Sequence, residues 1–475
     1  SDYYAIRELA ERPELYGHHV ATDGPEAALL AVKAGVNIEF PEPDCYPELA
    51  ALVREGALSE SKLDELVAPL LELKFRLGLF EDPYVDPEAA EWIASEASHQ
   101  ELALEAARKT VTLLKNDGVA PLDSAKIRTI AVIGPNADRE LLGGYSGRPN
   151  HVSTVLEGIR ERAGGEVEVL YHEGCRITIG GSWWQDEVVP SDPEEDRRLI
   201  ADAVAVAKRA DVVVLAVGGN EQDSREAWSL NHLGDRPDLK MVGLQDELVD
   251  AIAATGKPIV ALVFGGRPLA IGNLVSKASA VFQCWYLGQG TGRAVADVLF
   301  GEVNPSGKMP ITIPRSVGHL PAFYNHKPSA RRGYLFDDVS PLFPFGFGLS
   351  YTEFKLGPPR LKNATIGPKE TTKASVEVTN VGDRPGDAVV QLYIRDLVSS
   401  VTRPVKELKG FQRVPLAPGE TKTIQFEIGP ESLAFWNIDK VYAVETGEFD
   451  IMVGLDSVNT QSTLLRVTDC PADID

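Results

Sequence analysis

Apolar residues follow three different patterns along the 475-residue chain, and the pattern in the middle is the clearest. Between residues 88 and 320, unbroken apolar runs alternate with helical stretches such as 196–210 and 245–255. Unbroken runs are typical of parallel strands that are covered on both faces. The middle of the chain is therefore predicted to be an α/β sandwich. Its predicted strands are 129–134, 211–219, 258–266 and 280–286.

From residue 351 onwards, apolar positions alternate with polar ones. The segments 373–380, 389–396 and 421–428 each place their apolar side chains on one face, and turn-forming residues lie between them. This period of two predicts an antiparallel β-sandwich of roughly immunoglobulin type. The preceding segment 321–350 is rich in proline, glycine and aromatic residues, which predicts a linker.

The first 80 residues are mostly helical in pattern and contain one short apolar stretch, 34–40, which is predicted to be a strand. One strand with its flanking helices cannot form a closed hydrophobic core. This piece is therefore predicted to be the end of a larger domain. The segment 81–87 has the composition of a linker that leads into the α/β domain.

The chain contains 70 acidic and 47 basic residues, which gives a net charge of −23. This excess of negative charge disfavours binding to nucleic acid or to an anionic membrane surface. No apolar run reaches the roughly 18 residues from which a membrane-spanning helix is predicted. The four cysteines lie far apart, so neither a metal site nor a redox motif is indicated. Composition favours a neutral substrate, and no metal or organic cofactor is expected.

A long loop, 218–241, follows the predicted strand 211–217, at the edge where open parallel sheets bind their ligands. It is several times longer than the roughly 4–6 residues that are usual for a connection. One interpretation is a solvated surface excursion, and the other is a loop that delivers an acid into the cleft of a neighbouring domain. Its candidate residues are Glu221, Asp223, Glu226, Trp228, His232 and Asp235.

A pair of tryptophans, Trp183 and Trp184, lies outside this loop and outside the predicted strands. The pair belongs either to the core or to an exposed aromatic platform. Its flanking residues are Gly, Ser, Gln and Asp, and these favour exposure.

Six segments of the chain resemble, in order, those of the family 3 glycoside hydrolases, in particular the three-domain branch of β-glucosidases and β-xylosidases. "SDYYAI" is similar to the family's nucleophile segment, and "GDRPDLKMVGLQDELV" is similar to the stretch that follows its acid/base loop. The other four segments are "AALLAVKAGVNIEF", "ARKTVTLLKNDGVAPLD", "NPSGKMPITIP" and "PLFPFGFGLSYTEF".

The resemblance implies an α/β multidomain fold with three parts. Residues 1–80 would be the C-terminal remnant of a (β/α)8 barrel, 81–320 the α/β sandwich, 321–350 a linker and 351–475 a fibronectin type III-like β-sandwich. Most residues that bind the sugar ring in this family would lie in the remainder of the barrel. We therefore expect that remainder to come from a partner chain or from residues that precede this sequence.

The resemblance also implies a pair of catalytic carboxyl groups. Asp2 matches the nucleophile, and Glu226 in "SREAWS" matches the acid/base, with Glu221 as the alternative because it lies closer to the end of the strand. Retention of configuration requires the two groups to be about 5–5.5 Å apart. Three residues are predicted to bind substrate: Tyr3, where the family often has tryptophan, Trp228 and Arg225, although Arg225 is also a candidate for holding the loop.

The implied activity is that of a retaining exo-β-glycosidase that hydrolyses terminal non-reducing β-D-glucosyl residues of oligosaccharides or aryl β-glycosides. One alternative is a β-xylosidase of the same family, and another is an inactive carbohydrate-binding fragment. An N-acetylglucosaminidase fits less well, since those enzymes typically use a His/Asp dyad of the barrel and often lack the second domain. The sequence leaves open a homodimer and a periplasmic, secreted or cytoplasmic location.

Overall fold

The computed structural model describes residues 1–12, 17–147, 149–180, 182–227, 231–330 and 332–469. The chain forms two compact units, Ser1–Ala94 and Ser95–Asp475. The composition predicts the end of the first part at residue 80. The first compact unit extends further, to Ala94, because it includes the helix Pro87–Ala94.

The first unit is helical and has a small core. That core consists mainly of alanines of the first helix together with Ile6, Ala21 and Cys45. The N-cap of this helix is Asp23, whose carboxylate accepts a hydrogen bond from the Glu26 amide at 3.0 Å. This contact pairs one of the first backbone amides, which have no acceptor within the helix. The helices are α1 (Gly24–Ala34), α2 (Leu49–Arg54), α3 (Glu60–Arg76) and α4 (Pro87–Ala94), with short 3-10 turns at Arg7–Leu9 and Tyr46–Glu48.

The predicted strand 34–40 is wrong for this structure. Within the described part of the first unit, the segment pairs only through one parallel bridge, between Tyr3 and Phe40. The Tyr4 amide donates to the Phe40 carbonyl at 2.8 Å, and the N-terminal amine of Ser1 donates to Ile38 at 2.7 Å. An apolar run becomes a strand only when a neighbouring strand takes up its backbone hydrogen bonds along its length.

The second unit begins with a six-stranded sheet in the order β1-β8-β7-β6-β2-β3. All neighbouring strands are parallel except β1, which runs antiparallel to β8. The four strands predicted from unbroken apolar runs are confirmed as β2, β6, β7 and β8. The strands are β1 (Thr112–Asn116), β2 (Thr129–Ile133), β3 (Glu168–His172), β6 (Val212–Gly218), β7 (Ile259–Phe264) and β8 (Ala280–Trp285), and β4 (Thr178–Ile179) pairs with β5 (Val189–Pro190) outside this sheet.

Both faces of this sheet are covered, as the sequence predicts. Val214 and Val260 belong to one core cluster, whereas Val213 and Ala261, their neighbours along the strands, belong to another on the opposite face. Full burial of such side chains stabilises the fold by about 1.5–3 kcal/mol each. The covering helices are α5 (Ala97–Thr110), α6 (Val155–Ala163), α7 (Pro193–Lys208), α8 (Gln245–Ala253), α9 (Gly272–Lys277) and α10 (Thr291–Leu299).

The segment 321–350, predicted to be a linker, is partly built into the second unit. Phe343 is buried in the core below the sheet, and the Met309 amide donates to the Phe347 carbonyl at 2.8 Å. The Leu349 amide donates to Leu113 of β1, also at 2.8 Å. Some of the aromatic residues of this segment therefore belong to the core of the second unit. The linker prediction did not include this role.

The C-terminal part is a β-sandwich, as predicted, and its strands pair antiparallel except for the short pair Thr365–Ile366 with Thr460–Val467, which is parallel. In the pair β12 and β15, Val376 lies opposite Ile424 and Ala374 lies opposite Phe426, and these buried side chains face the second sheet. One sheet has the order β10-β12-β15 with β9 paired to β12, and the other has the order β11-β19-β18-β13-β14. The elements are β9 (Phe354–Leu356), β10 (Arg360–Leu361), β11 (Thr365–Ile366), β12 (Thr372–Asn380), β13 (Gly386–Asp396), β14 (Glu407–Leu416), β15 (Thr421–Ile428), α11 (Pro430–Leu433), β16 (Phe435–Trp436), β17 (Tyr442–Ala443), β18 (Gly447–Gly454) and β19 (Thr460–Val467).

Candidate active site

Asp2 lies in an exposed turn at the start of the first unit. Its Oδ1 accepts a hydrogen bond from the Tyr3 amide at 2.7 Å, and its carbonyl accepts one from the Ala5 amide at 3.3 Å. Tyr4 adopts a positive φ of 56°, and the Arg7 guanidinium lies over its ring at 4.1 Å. The turn is thus held by backbone bonds and by one cation–π contact, while the Asp2 carboxylate and the Tyr3 ring are exposed.

The loop 218–241 begins at the carboxyl end of β6, where Gln245 fixes the backbone. The buried Gln245 amide accepts from the Gly218 amide and donates to the Gly218 carbonyl, both at 2.8 Å. Gly218 has a φ of 123°, and a Cβ there would lie 2.1 Å from the Phe264 carbonyl oxygen. Only glycine fits this position, since β6 and β7 approach closely there.

The first turn of the loop is held by a network of polar side chains. Asn220 donates to the Thr178 hydroxyl at 2.9 Å, and Asn136 donates to the Gly219 carbonyl at 3.1 Å. Asp223 accepts from the Asn220 amide at 2.9 Å. Burial raises the pKa of the Asp223 carboxyl group, and the backbone hydrogen bond from Asn220 opposes that shift. Asp223 therefore closes the turn and does not reach solvent as a free acid.

Glu221, the alternative acid, is held inside the second unit. The residue is 8% exposed, and its Oε1 accepts from the amides of Leu142 and Gly143 at 3.1 and 3.3 Å. The Arg139 guanidinium lies 3.6 Å from its Oε2. A carboxylate with these contacts ties the loop to the segment after β2, because two amides and a cation already surround it.

Arg225 is 1% exposed, and its guanidinium is turned onto backbone carbonyls. Its Nε donates to Leu233 at 2.7 Å, and its two terminal nitrogens donate to Gln185 and Asp186. Burial lowers the pKa of this guanidinium. Of the two roles considered for Arg225, these contacts favour holding the loop over binding substrate.

Glu226 is the residue after this anchor, and it is exposed. The backbone on either side of it is restrained, because Arg267 donates to the Arg225 carbonyl at 2.8 Å. Gly234 packs against the peptide on the other side of Glu226: a Cβ on Gly234 would lie 2.3 Å from the Glu226 carbonyl carbon and 2.4 Å from the Ala227 nitrogen. The structure thus presents the Glu226 side chain at the surface on a restrained backbone.

The predicted site residues fall into both compact units. Asp2 and Tyr3 belong to the first unit, whereas Arg225 and Glu226 belong to the second. Trp228 lies outside the described residues. The pairing of Asp2 with Glu226 stays a prediction.

Sequence reasoning missed several residues that build the loop, above all Arg267 and Gly234. Arg267 follows β7 within three residues, at the same sheet edge as the loop after β6. Because the carboxyl ends of parallel strands meet at one edge, a cation directly after β7 was a usable signal. The close approach of Gly234 to residue 226 had no such signal, because it depends on how the loop turns back on itself.

The described ranges of the chain contain no helix that combines the length and apolar character needed to cross a membrane. They also contain no group of three or more His, Cys, Asp or Glu side chains placed to hold a metal ion.

Comparisons with known proteins identify both the α/β domain and the β-sandwich of the second unit. Residues 111–351 match the glycosyl hydrolase family 3 C-terminal domain, and residues 388–457 match the fibronectin type III-like domain. The chain belongs to glycoside hydrolase family 3.

Similar proteins include both β-glucosidases and β-xylosidases. A β-xylosidase of Formosa agariphila is 41% identical over 93% of this chain, and a periplasmic β-glucosidase of Salmonella typhimurium is 38% identical over 97%. The structure of a β-glucosidase from Erythrobacter marinus matches 98% of the chain with 44% identity and a TM-score of 0.94. The chain spans 61%, 62% and 63% of the lengths of these three proteins, respectively.

Proposed function

We propose that this chain is part of a retaining exo-β-glycosidase that releases terminal non-reducing β-D-glucosyl residues. The observation that carries the proposal is the exposed Glu226 on a backbone restrained by Arg225, Arg267 and Gly234. A residue that first protonates a leaving group and then activates water must be exposed to substrate and fixed in position. Membership of a glycosidase family supplies the reaction class.

In the proposed double displacement, a carboxylate oxygen of Asp2 attacks the anomeric carbon while the glycosidic C–O bond breaks. Glu226 gives its proton to the departing oxygen. A water molecule then attacks the same carbon, the bond to Asp2 breaks, and Glu226 takes the proton from that water. Two inversions give net retention, and neither step requires a metal or an organic cofactor.

We further propose that turnover requires protein beyond this chain. The chain spans less than two thirds of the relatives named above, and its first unit has helices but no described strand that would complete a barrel. That unit also exposes large apolar side chains, including Phe75, Leu77 and Trp92. Exposed apolar groups in this number are typical of a surface that another segment covers.

A β-xylosidase is the second candidate, because the relative from Formosa agariphila at 41% identity carries that name. The test compares kcat/KM for p-nitrophenyl β-D-glucoside and β-D-xyloside, with the chain alone and with the chain extended to the full length of its relatives. We expect turnover only in the extended protein, with glucoside preferred about tenfold or more, the range that one pocket contact provides. Preference for the xyloside would establish the second candidate. Absence of turnover of both substrates by the extended protein would favour the alternative of an inactive carbohydrate-binding protein.

Gly234→Ala should impair catalysis without unfolding the protein. The added Cβ would overlap the backbone at Glu226, so the loop must shift and carry the carboxyl group with it. Displacements of about 1 Å cost on the order of 100-fold in rate, so we expect kcat on cellobiose to fall about 10- to 100-fold.

Gly165→Ala is the matched control for this change, because a Cβ there has no atom within 4 Å. Both variants are checked for folding by circular dichroism and thermal unfolding. If Gly234→Ala folds normally and keeps the kcat of Gly165→Ala, the restrained backbone at Glu226 does not matter for catalysis.

A further inference from the structure

A cavity of about 380 Å³ lies in the second unit between the six-stranded sheet and the β-sandwich. On the sheet side it is lined by Trp285, the last residue of β8, and by Lys308. On the sandwich side it is lined by Gln391 of β13 and Arg413 of β14. Small-molecule sites usually enclose roughly 300–1,000 Å³, so the size is suitable for a ligand. We call this space the junction cavity, and none of its residues has a role in the mechanism described above.

The junction cavity is basic, although the chain as a whole carries a net charge of −23. Of the described residues that line it, Lys109, Lys308 and Arg413 are positively charged and none is Asp or Glu. Lys109 and Arg413 have carboxylate neighbours outside the lining, Glu105 and Asp387. A basic cavity on a strongly acidic protein does not follow from its composition, and its charge favours an anionic ligand.

Lys308 is the cation that lacks a counter-ion. Within the described ranges, no carboxylate oxygen lies within 4.0 Å of its ammonium group, which donates to the Gly348 carbonyl. Burial lowers the pKa of Lys308 to about 8, the charge of Asp456 opposes this shift, and the guanidinium of Arg413 adds to it. A half-buried ammonium group beside a second cation has lost hydration that a bound anion would replace.

The rest of the lining is mainly apolar and aromatic. Trp285 holds a positive φ of 55°, which is unfavourable for a bulky residue, and it stands at the carboxyl end of a parallel strand, where such sheets bind ligands. The ring of Phe411 is 66% exposed, so the cavity is accessible from solvent. The other apolar residues of the lining include Met309, Phe345, Val389 and Leu408. A ligand that fits both the charge and the walls needs an anionic group on a flat apolar body.

We propose that the junction cavity binds a small carboxylic acid that carries an aromatic ring, with its carboxylate at Lys308 and Arg413 and its ring against the aromatic wall. Cationic side chains form short, charge-assisted hydrogen bonds with carboxylates. A neutral sugar would leave Lys308 without a counter-ion, and inorganic phosphate would leave the apolar wall uncovered. The bound acid would contact residues on both sides of the junction, so it should stabilise the second unit against thermal unfolding. This inference does not depend on the proposed glycosidase activity.

Binding is tested by isothermal titration calorimetry on the whole 475-residue chain. The probes are cinnamate, its neutral analogue cinnamamide, and inorganic phosphate. For cinnamate we expect a Kd of about 0.1–1 mM, which is typical of a ligand of this size, and a rise in Tm. Cinnamamide should bind about tenfold more weakly or less, because hydrogen bonds between charged groups are stronger than those of a neutral amide.

Lys308→Met keeps an apolar side chain of similar length and removes the charge. It should weaken cinnamate binding about tenfold or more and leave cinnamamide binding nearly unchanged. Lys126→Met is the matched control, because the Lys126 side chain is 82% exposed, pairs with Asp123 at 2.9 Å and does not line the cavity.

Phe411→Ala removes part of the aromatic wall at an exposed position, so the variant should fold normally. It should weaken cinnamate and cinnamamide alike, by about 2- to 10-fold, the range that one aromatic contact provides. Trp436→Ala is its control, since Trp436 is equally exposed at 66%, belongs to the same sandwich and does not line the cavity. Circular dichroism and thermal unfolding check the fold of all four variants.

Equal affinities for cinnamate and cinnamamide overturn the proposal, and so does unchanged cinnamate binding in Phe411→Ala or in a folded Lys308→Met. If phosphate binds as tightly as cinnamate, the cavity is an inorganic anion site and the aromatic part of the proposal is wrong. If Lys308→Met does not fold, Phe411→Ala and the comparison of the two cinnamic ligands decide the question. All of these measurements are made without turnover, so their failure is distinct from a failure of the proposed activity.

Discussion

Asp2→Ala should lower turnover of the completed enzyme by about three orders of magnitude or more, because no other group would form the glycosyl-enzyme intermediate. The exposed carboxylate accepts a hydrogen bond from the Tyr3 amide at 2.7 Å, which orients it within the opening turn. The measurement is kcat on p-nitrophenyl β-D-glucoside. Added azide should not restore a product of retained configuration, since the first displacement itself is lost.

Asp44→Ala is the control for Asp2→Ala. Asp44 is an exposed aspartate of the same unit, paired with Arg7 at 3.1 Å, and such surface pairs contribute about 0–1 kcal/mol to stability. We expect its turnover to stay close to that of the unmodified enzyme. Near-normal activity in Asp2→Ala would remove Asp2 from the mechanism and leave the opening turn without a catalytic role.

The sequence predicts the central sheet well because strands buried on both faces consist almost entirely of apolar residues. β6 and β7 are buried along their whole lengths, so every position is apolar or small and the run is unmistakable. β3 was missed because it lies at the edge of the sheet, with its first residue exposed and polar ones at both ends. The segment 34–40 shows the opposite error, since an apolar run carries no information about whether a partner strand is present.

The loop 218–241 was predictable from the sequence, but the arrangement of its side chains was not. Loop length and position identified 218–241, yet Glu221 and Glu226 were indistinguishable on those grounds. They differ because Glu221 receives hydrogen bonds from residues 142 and 143, which are distant in sequence. Likewise, Arg225 becomes an anchor only because the segment around Gln185 folds back to meet it. Such contacts depend on tertiary structure, so local patterns do not reveal them.

Glu226→Ala is expected to separate the two chemical steps of the proposed mechanism. Without an acid, a sugar leaving group departs slowly, so hydrolysis of cellobiose should fall about 10²- to 10⁴-fold. A dinitrophenyl glycoside needs no protonation, and its first step should be nearly unaffected. The second step then limits the rate because no base activates water. A burst of dinitrophenol followed by slow turnover, measured by stopped flow, is the expected signature.

Azide provides the decisive measurement for choosing between Glu226 and Glu221. A small anion attacks the glycosyl-enzyme without help from a base, so azide should accelerate Glu226→Ala and give a β-glucosyl azide. Glu221→Ala removes a buried carboxylate that two amides and Arg139 contact, so it should destabilise the second unit and show no azide rescue. Rescue of Glu221→Ala but not of Glu226→Ala would transfer the acid/base role to Glu221. The buried carboxylate would then have to leave its amide partners during catalysis, and the restrained surface at Glu226 would need another explanation.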